Sequence, residues 1–429
     1  MIVKNYQDLA TTEVRKKSLQ IVEAGLSAIK TPQIIKESIH LSGNKLNIKR
    51  KIFNIEKFKQ IFVVAVGKCS FNSIPVLEDI LGKKLTGGIA LDVKKPPRFK
   101  KVKGYQGTHP MPSQKNIVAA NKIVKFLEKL VKDDLVLFLI SGGGSTLLCL
   151  PDGEKSFKKE ATILKILFES GAPIRDINTI RKHISLARGG HLAKYAHPAK
   201  IISLIFSDIP GDDLGFVASG PTIKDTTTTK DAERIFKKHN ILKKSGLKTC
   251  NLIETPKNEK YFEETTNIAL ASNRDALQAM AKKAGELGYK SRICDYCLAG
   301  EAKIAGQSII EALSSSPSKT VLLYGGETTV TVKSRLKGGR SQELALGALK
   351  KIKRGQILVA FASDGRDNTD FAGAICDIIT LEKARKLKLN SEKFLDSSNS
   401  YDFFKRTGDF ILTGPTGSNV SDLVIAIKS

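Results

Sequence analysis

The chain reads as an α/β protein with more than one core, built on a parallel sheet with helices on both faces. Three observations carry this reading. Its 429 residues are more than one small core organises, so two domains are expected. Apolar strand-like runs alternate with amphipathic stretches of helical period, the pattern of a parallel sheet covered by helices. Several of those strands stop at short turns of glycine, serine and one charged residue, where open α/β sheets present ligand-binding groups.

The first 50 residues read as helical, with Val14, Leu19, Ile21, Val22 and Leu26 at roughly helical spacing. IFVVAVG is then a strand, NSIPVLEDILG a helix stopped by Gly82, and GGIALDV a second strand. SQKNIVAANKIVKFLEKLV is an amphipathic helix with Ser113 as its N-cap. LVLFLI (135–140) is a buried strand that runs into SGGGST. Helices follow near 156–170 and from Asp176, and AKIISLIFSD (199–208) is the next strand. Residues 223–265 turn polar, rich in Thr and Lys, and mark the expected boundary or hinge. The second half predicts a helix at 273–287, a strand near 290–295 and a helix at 300–313. Strands at 320–326, 328–333 and 356–365 follow, with a tail of two strands around a Gly-Pro turn.

Composition narrows the function classes. At 41% apolar and 26% charged the chain is ordinary for a soluble protein, and its longest apolar runs are far too short to span a bilayer. Met1 to Lys30 lacks a basic start, an apolar core and a small-residue cleavage pattern, so a cytoplasmic protein without a secretory signal or membrane partner is expected. Six scattered cysteines make no disulfide framework. Cys294 and Cys297 form a C-x-x-C pair, but no second pair exists and His239 is the last histidine, which excludes a zinc ribbon. A redox pair stands beside the simpler reading of strand-end packing residues. The net charge is +27, and residues 1–132 carry 26 Lys and Arg against 9 Asp and Glu. That balance raises nucleic-acid binding as an alternative. The basic residues come in twos and threes without interleaved aromatics, which suits solvated helix faces instead. The positive field would still draw an anionic substrate.

Neither standard nucleotide loop is present. SGGGSTL offers Gly142 and Gly144 but has Leu147 where a dinucleotide fingerprint needs its third glycine, and Phe62 stands where a Walker loop ending at Gly67-Lys68 needs its first. Five strand ends nonetheless carry polar groups. They are Lys68; the turn Ser141, Gly142, Gly143, Gly144 and Ser145; Asp208; Glu327 after Gly326; and Asp364. Together these suit phosphoryl transfer, which needs cations on the phosphates, amide-rich turns, and carboxylates for magnesium or for the hydroxyl proton. Lys68 and Arg340 are the candidate cations, and Asp208 and Glu327 the candidate metal carboxylates. Arg340 follows Gly338 and Gly339 and opens a helix, where guanidinium and helix end could clamp an anion. Gln342 and Glu343 read equally as ordinary first-turn residues. In RKHISLARGGHLAK, Lys182 and Arg188 are expected as anion contacts, and His183 and His191 as satisfied structural histidines. A G-x-S-x-G elbow for serine hydrolysis is missing.

The ordered series AVGK, SGGGS, KHISLARGGHLA, SDIPGDDLGFVASGPT, SNRDAL, GGETTVTV, GGRSQELAL, SDGRDNTDFAGA and TGPTGSNVSDL resembles the class II glycerate kinases, the family with a MOFRL C-terminal domain. The resemblance runs from about residue 10 to the end. It implies a Rossmann-like N-terminal domain (1–240, with helices from 265–315 packing on it), a smaller mixed α/β domain (316–429) and a site in the cleft between them. It implies ATP-dependent phosphorylation of D-glycerate at the 2-hydroxyl, with Mg2+, by a monomer or homodimer. The family's functional lysine falls on Lys68, its arginine on Arg340 and its aspartates on Asp208 and Asp364; Gly326, Glu327, Gly338 and Gly339 are assigned to the nucleotide. Cys69, Ser341, Ser363 and Asn368 depart from the family pattern, which bears on substrate preference more than on the reaction. Members have also been labelled hydroxypyruvate reductases, making NAD(P)H-dependent reduction an alternative that the missing dinucleotide loop disfavours.

Overall fold

The computed structural model describes residues 1–153, 157–207, 213–247, 250–332, 334 and 336–429. The chain forms two compact units, one of Thr31–Ser207 with Asp213–Leu270, the other of Met1–Lys30 with Ala271–Ser429.

The first unit holds a six-stranded sheet. Numbered along the chain, its strands are Gln60–Val66, Leu85–Asp92, Val102–Gln106, Asp134–Ile140, Lys200–Phe206 and Thr265–Ala271, and they lie in the order 3-2-1-4-5-6. The first five are mutually parallel. This is the doubly wound order, in which the chain reverses direction across the sheet between strands one and four and leaves a crevice at their carboxyl ends. Every residue of Asp134–Ile140 is buried, as a central strand covered on both faces requires. Helix Gln114–Leu127 starts at a capping box of Ser113 and Asn116, satisfying amide groups that would otherwise be orphaned. The sequence expectation of helix through residue 50 ends at Ser38, because Ile39–Ser42, Lys45–Ile48 and Lys51–Asn54 pair as an antiparallel sheet. Four-residue strands with tight turns between them carry too short an alternation to read from sequence.

The second unit is built on a mixed six-stranded sheet. Its order is Lys290–Leu298, Thr320–Gly326, Asp422–Lys428, Gln356–Ala362, Gly373–Asp377 and Phe410–Ile411, with only the first pair parallel. The last strand inserts between Thr320–Gly326 and Gln356–Ala362, so the two tail strands do not pair with each other. The expected strand at 328–333 is absent among the described residues, where Thr329 makes a single bridge to Glu301.

The compact units divide the chain differently from the expected boundaries at 240 and 316. Helices Asn273–Glu286 and Ala302–Ser314 belong to the unit of the C-terminal sheet and its helix Arg340–Leu349. Helix Glu13–Ala28, at the opposite end of the sequence, joins them. Its Arg15 is fully buried, donating from Nε and Nη2 to Asp377 at 2.7 Å and from Nη1 to Asp409 at 2.7 Å. A buried guanidinium demands such carboxylates, and here they lie more than 360 residues further along the chain. Among the described residues no helix is long and apolar enough to cross a membrane.

Candidate active site

At the reversal point of the first sheet, the ends of strands one and four are locked together. Lys68 N donates to Gly142 O at 3.0 Å, Cys69 N to Ser141 Oγ at 3.2 Å, and Ser141 N to Val66 O at 2.9 Å. Gly67 has φ +125, and a Cβ there would lie 2.2 Å from Ser141 Oγ, so only glycine admits this approach. The Lys68 side chain runs across Gly143, whose missing Cβ would sit 3.1 Å from Lys68 Cγ and 3.5 Å from His109 Cδ2. Sequence reading brought out Lys68 and the Ser141–Ser145 turn, and the fold sets them side by side.

The turn is braced from behind. The Ser219 hydroxyl lies 2.9 Å from that of Ser145 and donates to Asn178 Oδ1 at 2.8 Å. Ala218 and Ser219 both sit in the left-handed region, φ 52 and 58, and Ala218 packs directly on Gly144. Consecutive non-glycine residues in that region are strained and are retained where the surroundings over-determine them, commonly at functional sites.

His109 lies against Gly143 beside Lys68, and the charge of Arg181 reaches its ring; sequence reading missed both. His109 carries no periodic or motif signal beyond a histidine before proline; Arg181 stood beside two other cations with nothing to rank it. Crowding by the protein, then the positive charges of Lys68 and Arg181, hold the His109 imidazole down to about 4, so it is neutral at physiological pH. Lys182 and Arg188, expected as anion contacts, each hold a carboxylate of this chain. Lys182 Nζ reaches Asp225 Oδ1 at 3.0 Å, and Arg188 Nη2 reaches Glu160 Oε1 at 2.6 Å, all four side chains largely out of solvent. His183 Nδ1 donates to Ile253 O at 2.8 Å and its Nε2 lies 3.1 Å from Thr227 Oγ1, and His191 Nδ1 contacts Arg188 O at 2.7 Å. Both histidines are structural, as expected. Asp208 lies outside the described residues.

In the second unit the residues singled out by sequence gather around Arg340. Its Nη1 pairs with Glu327 and its Nε lies 3.2 Å from Asp422 Oδ2. Asp364 is half-buried; its Oδ1 accepts from Arg366 N at 2.9 Å. Asp422, which no sequence pattern singles out, is buried at the start of the last strand. Burial above all, then the charges of Asp367, Glu327 and Asp364, push its carboxyl well above the usual carboxylate range, with Arg340 opposing them.

The amides that open helix Arg340–Leu349 are already occupied. Asp367 accepts from Ser341 N at 3.1 Å and from Gln342 N at 2.7 Å, so the free anion clamp expected at this helix end is filled by the protein's own carboxylate. Gly339 is glycine because a Cβ would lie 2.0 Å from Asp367 O, and Gly326 because one would lie 2.3 Å from Leu298 N. Beside them is a pocket of about 440 Å³, in the size range of ligand sites. Its walls include Val330, Val332, Leu336, Gly338, Gly339 and Arg340. Among the described residues no group of three or more His, Cys, Asp or Glu side chains is disposed to hold a metal ion.

Residues 17–253 match the model of a domain of unknown function, DUF4147, and residues 320–422 match the MOFRL family. A glycerate 2-kinase of Pyrococcus horikoshii is 37% identical, the alignment covering 97% of this chain and 97% of that protein. A D-glycerate 2-kinase of Thermotoga maritima is 33% identical over 96% of this chain and 98% of its own. The crystal structure of a glycerate kinase from Thermotoga maritima is similar with a TM-score of 0.83 at 30% identity, covering 97% of this chain and 99% of that one.

Proposed function

Because this chain belongs to the class II glycerate kinase family, we propose that the Lys68 pocket and the Arg340 cluster are the working parts of a glycerate 2-kinase. The enzyme phosphorylates D-glycerate at the 2-hydroxyl, with ATP as the phosphoryl donor. The observation that supports the site most directly is the pairing of Lys68 with the Ser141–Ser145 turn at the carboxyl end of the doubly wound sheet. That is where this architecture binds ligands.

Phosphoryl transfer asks little covalent chemistry of a protein; it needs anions held in place and developing charge balanced. Lys68 has no carboxylate partner among the described residues, so its charge is available to an anionic substrate or phosphate. Amides of the Ser141–Ser145 turn, in which Gly143 is the part-exposed residue, orient the same ligand by hydrogen bonding. Arg340 exchanges its Glu327 contact for phosphate oxygens, which a guanidinium binds in a fork. The nucleotide takes the pocket beside Gly338 and Gly339, its base against Val330, Val332 and Leu336. Asp208 or Asp364 orients the glycerate hydroxyl and receives its proton.

Magnesium in kinases is held mainly by phosphates and water with one or two carboxylates. Glu327 and Asp364 are carboxylates of the Arg340 cluster with solvent access and would hold it, with Asp208 as a further candidate. When bound, the ion neutralises phosphate charge.

The test is ATP consumption across small hydroxy acids, with the product identified by phosphorus NMR. D-Glycerate should be the preferred acceptor and 2-phosphoglycerate the product. Oxidation of NADPH by hydroxypyruvate without ATP turnover would overturn the reading.

A further inference from the structure

We propose that Arg181, acting beside Lys68, binds the carboxylate of the hydroxy-acid substrate and so makes the enzyme select acids over neutral polyols. This rests on the glycerate kinase reading above.

The segment 181–191 offers three cations, and the fold separates them by partner. Lys182 is committed to Asp225 and Arg188 to Glu160. Arg181 pairs with no carboxylate among the described residues. Its Nε is buried without a hydrogen-bond partner, and the Phe168 ring lies 6.0 Å from its Cζ. A buried guanidinium donor left unsatisfied is costly, so the site is completed by an anion. Burial, then the neighbouring Arg188, weaken its hold on its proton and lower it to about 10, with the charge of Glu160, which is bonded to Arg188, opposing them.

Its direction is set by Asn178, three residues earlier in helix Ile174–His183. Residues three apart share a helix face. Asn178 is tied through Ser219 to Ser145, so this face of the helix is the one turned to the Ser141–Ser145 turn. Independently, Lys68 and Arg181 both bear on the His109 imidazole, and both Lys68 and His109 lie against Gly143. Lys68 and the His109 ring thus flank the amide-rich turn, and Arg181 stands on the helix face tied to it, close enough for its charge to act on the same ring. Of the two anions the substrates offer, a planar carboxylate matches the guanidinium fork and leaves Lys68, a compact point charge, for the second oxygen.

The full-length Arg181→Gln and Arg181→Lys variants test this, with D-glycerate and ATP varied separately and glycerol as the neutral acceptor. In Arg181→Gln the KM for D-glycerate should rise by roughly 10-fold or more while kcat and the KM for ATP stay within about 3-fold, the signature of lost ground-state binding. The kcat/KM ratio of D-glycerate over glycerol should fall in parallel. Arg181→Lys, which keeps the charge and the fold of the helix end, should recover part of the loss. An unchanged KM for D-glycerate in both variants, or a rise in the KM for ATP instead, overturns the assignment. A wild-type enzyme without glycerate turnover overturns the functional reading and this assignment with it; an active wild type with indifferent variants overturns this assignment alone.

Discussion

Arg188 donates to Glu160 Oε1 at 2.6 Å with both side chains withdrawn from water, while its second nitrogen caps the carbonyl of Arg181 at 3.1 Å. The pair therefore anchors the segment that presents Arg181. Arg188→Met would leave Glu160 buried and unpaired, and breaking such a pair costs about 3–5 kcal/mol. Urea denaturation should show that loss.

Lys68 carries a different expectation, since its side chain bonds no carboxylate among the described residues. Lys68→Ala should lower kcat/KM by about 10²-fold, roughly 3 kcal/mol of transition-state stabilisation, with the melting temperature unmoved. Steady-state kinetics and thermal melting check the two halves separately. Gly67→Ala should damage both, because a Cβ at φ +125 meets Ser141 Oγ at 2.2 Å.

His109 gives a pH-dependent signal from the same pocket. Its imidazole is lowered to about 4 by crowding, Lys68 and Arg181, against about 6.5 in an unfolded chain. The unfolded state therefore binds the proton first, and the stability His109 contributes is complete above about 6.5 and lost as pH falls toward about 4. A bound anion offsets the two cations, so NMR titration should show the His109 midpoint rising when D-glycerate is added. Arg181→Gln should raise the midpoint of the free enzyme.

Asp422 has the opposite sign. Its carboxyl is raised well above the ordinary range, first by burial. The folded state thus holds the proton more tightly, and Asp422's contribution is greatest below about pH 4 and lost as pH rises through its folded value. Asp422→Asn cannot ionise and escapes that loss. Denaturation of the two proteins should show the variant gaining on wild type as pH rises from about 4 to 8.

Much of the architecture was legible. The strand runs at 61–66 and 135–140 are too apolar and too short to be anything but covered strands, and Ser113 announced the helix it caps. Val102–Gln106 escaped notice because an edge strand with one buried residue has almost no hydrophobic pattern. The grouping of helices 273–286 and 302–314 with the C-terminal sheet also escaped, because amphipathic periodicity shows that a helix packs but not against what.

The sequence by itself determined the alternation of strands and helices and the polar strand ends, Lys68 and the Ser141–Ser145 turn among them. These follow from periodicity and from glycine's freedom in tight turns, both local properties. Tertiary structure alone decided which charges are spent and which are free. Asp367 fills the helix end beside Arg340; Glu160 and Asp225 bond Arg188 and Lys182, and among the described residues no carboxylate bonds Arg181. Charge pairing is set by distances of a few ångströms between segments remote in the chain, and no local pattern records those distances.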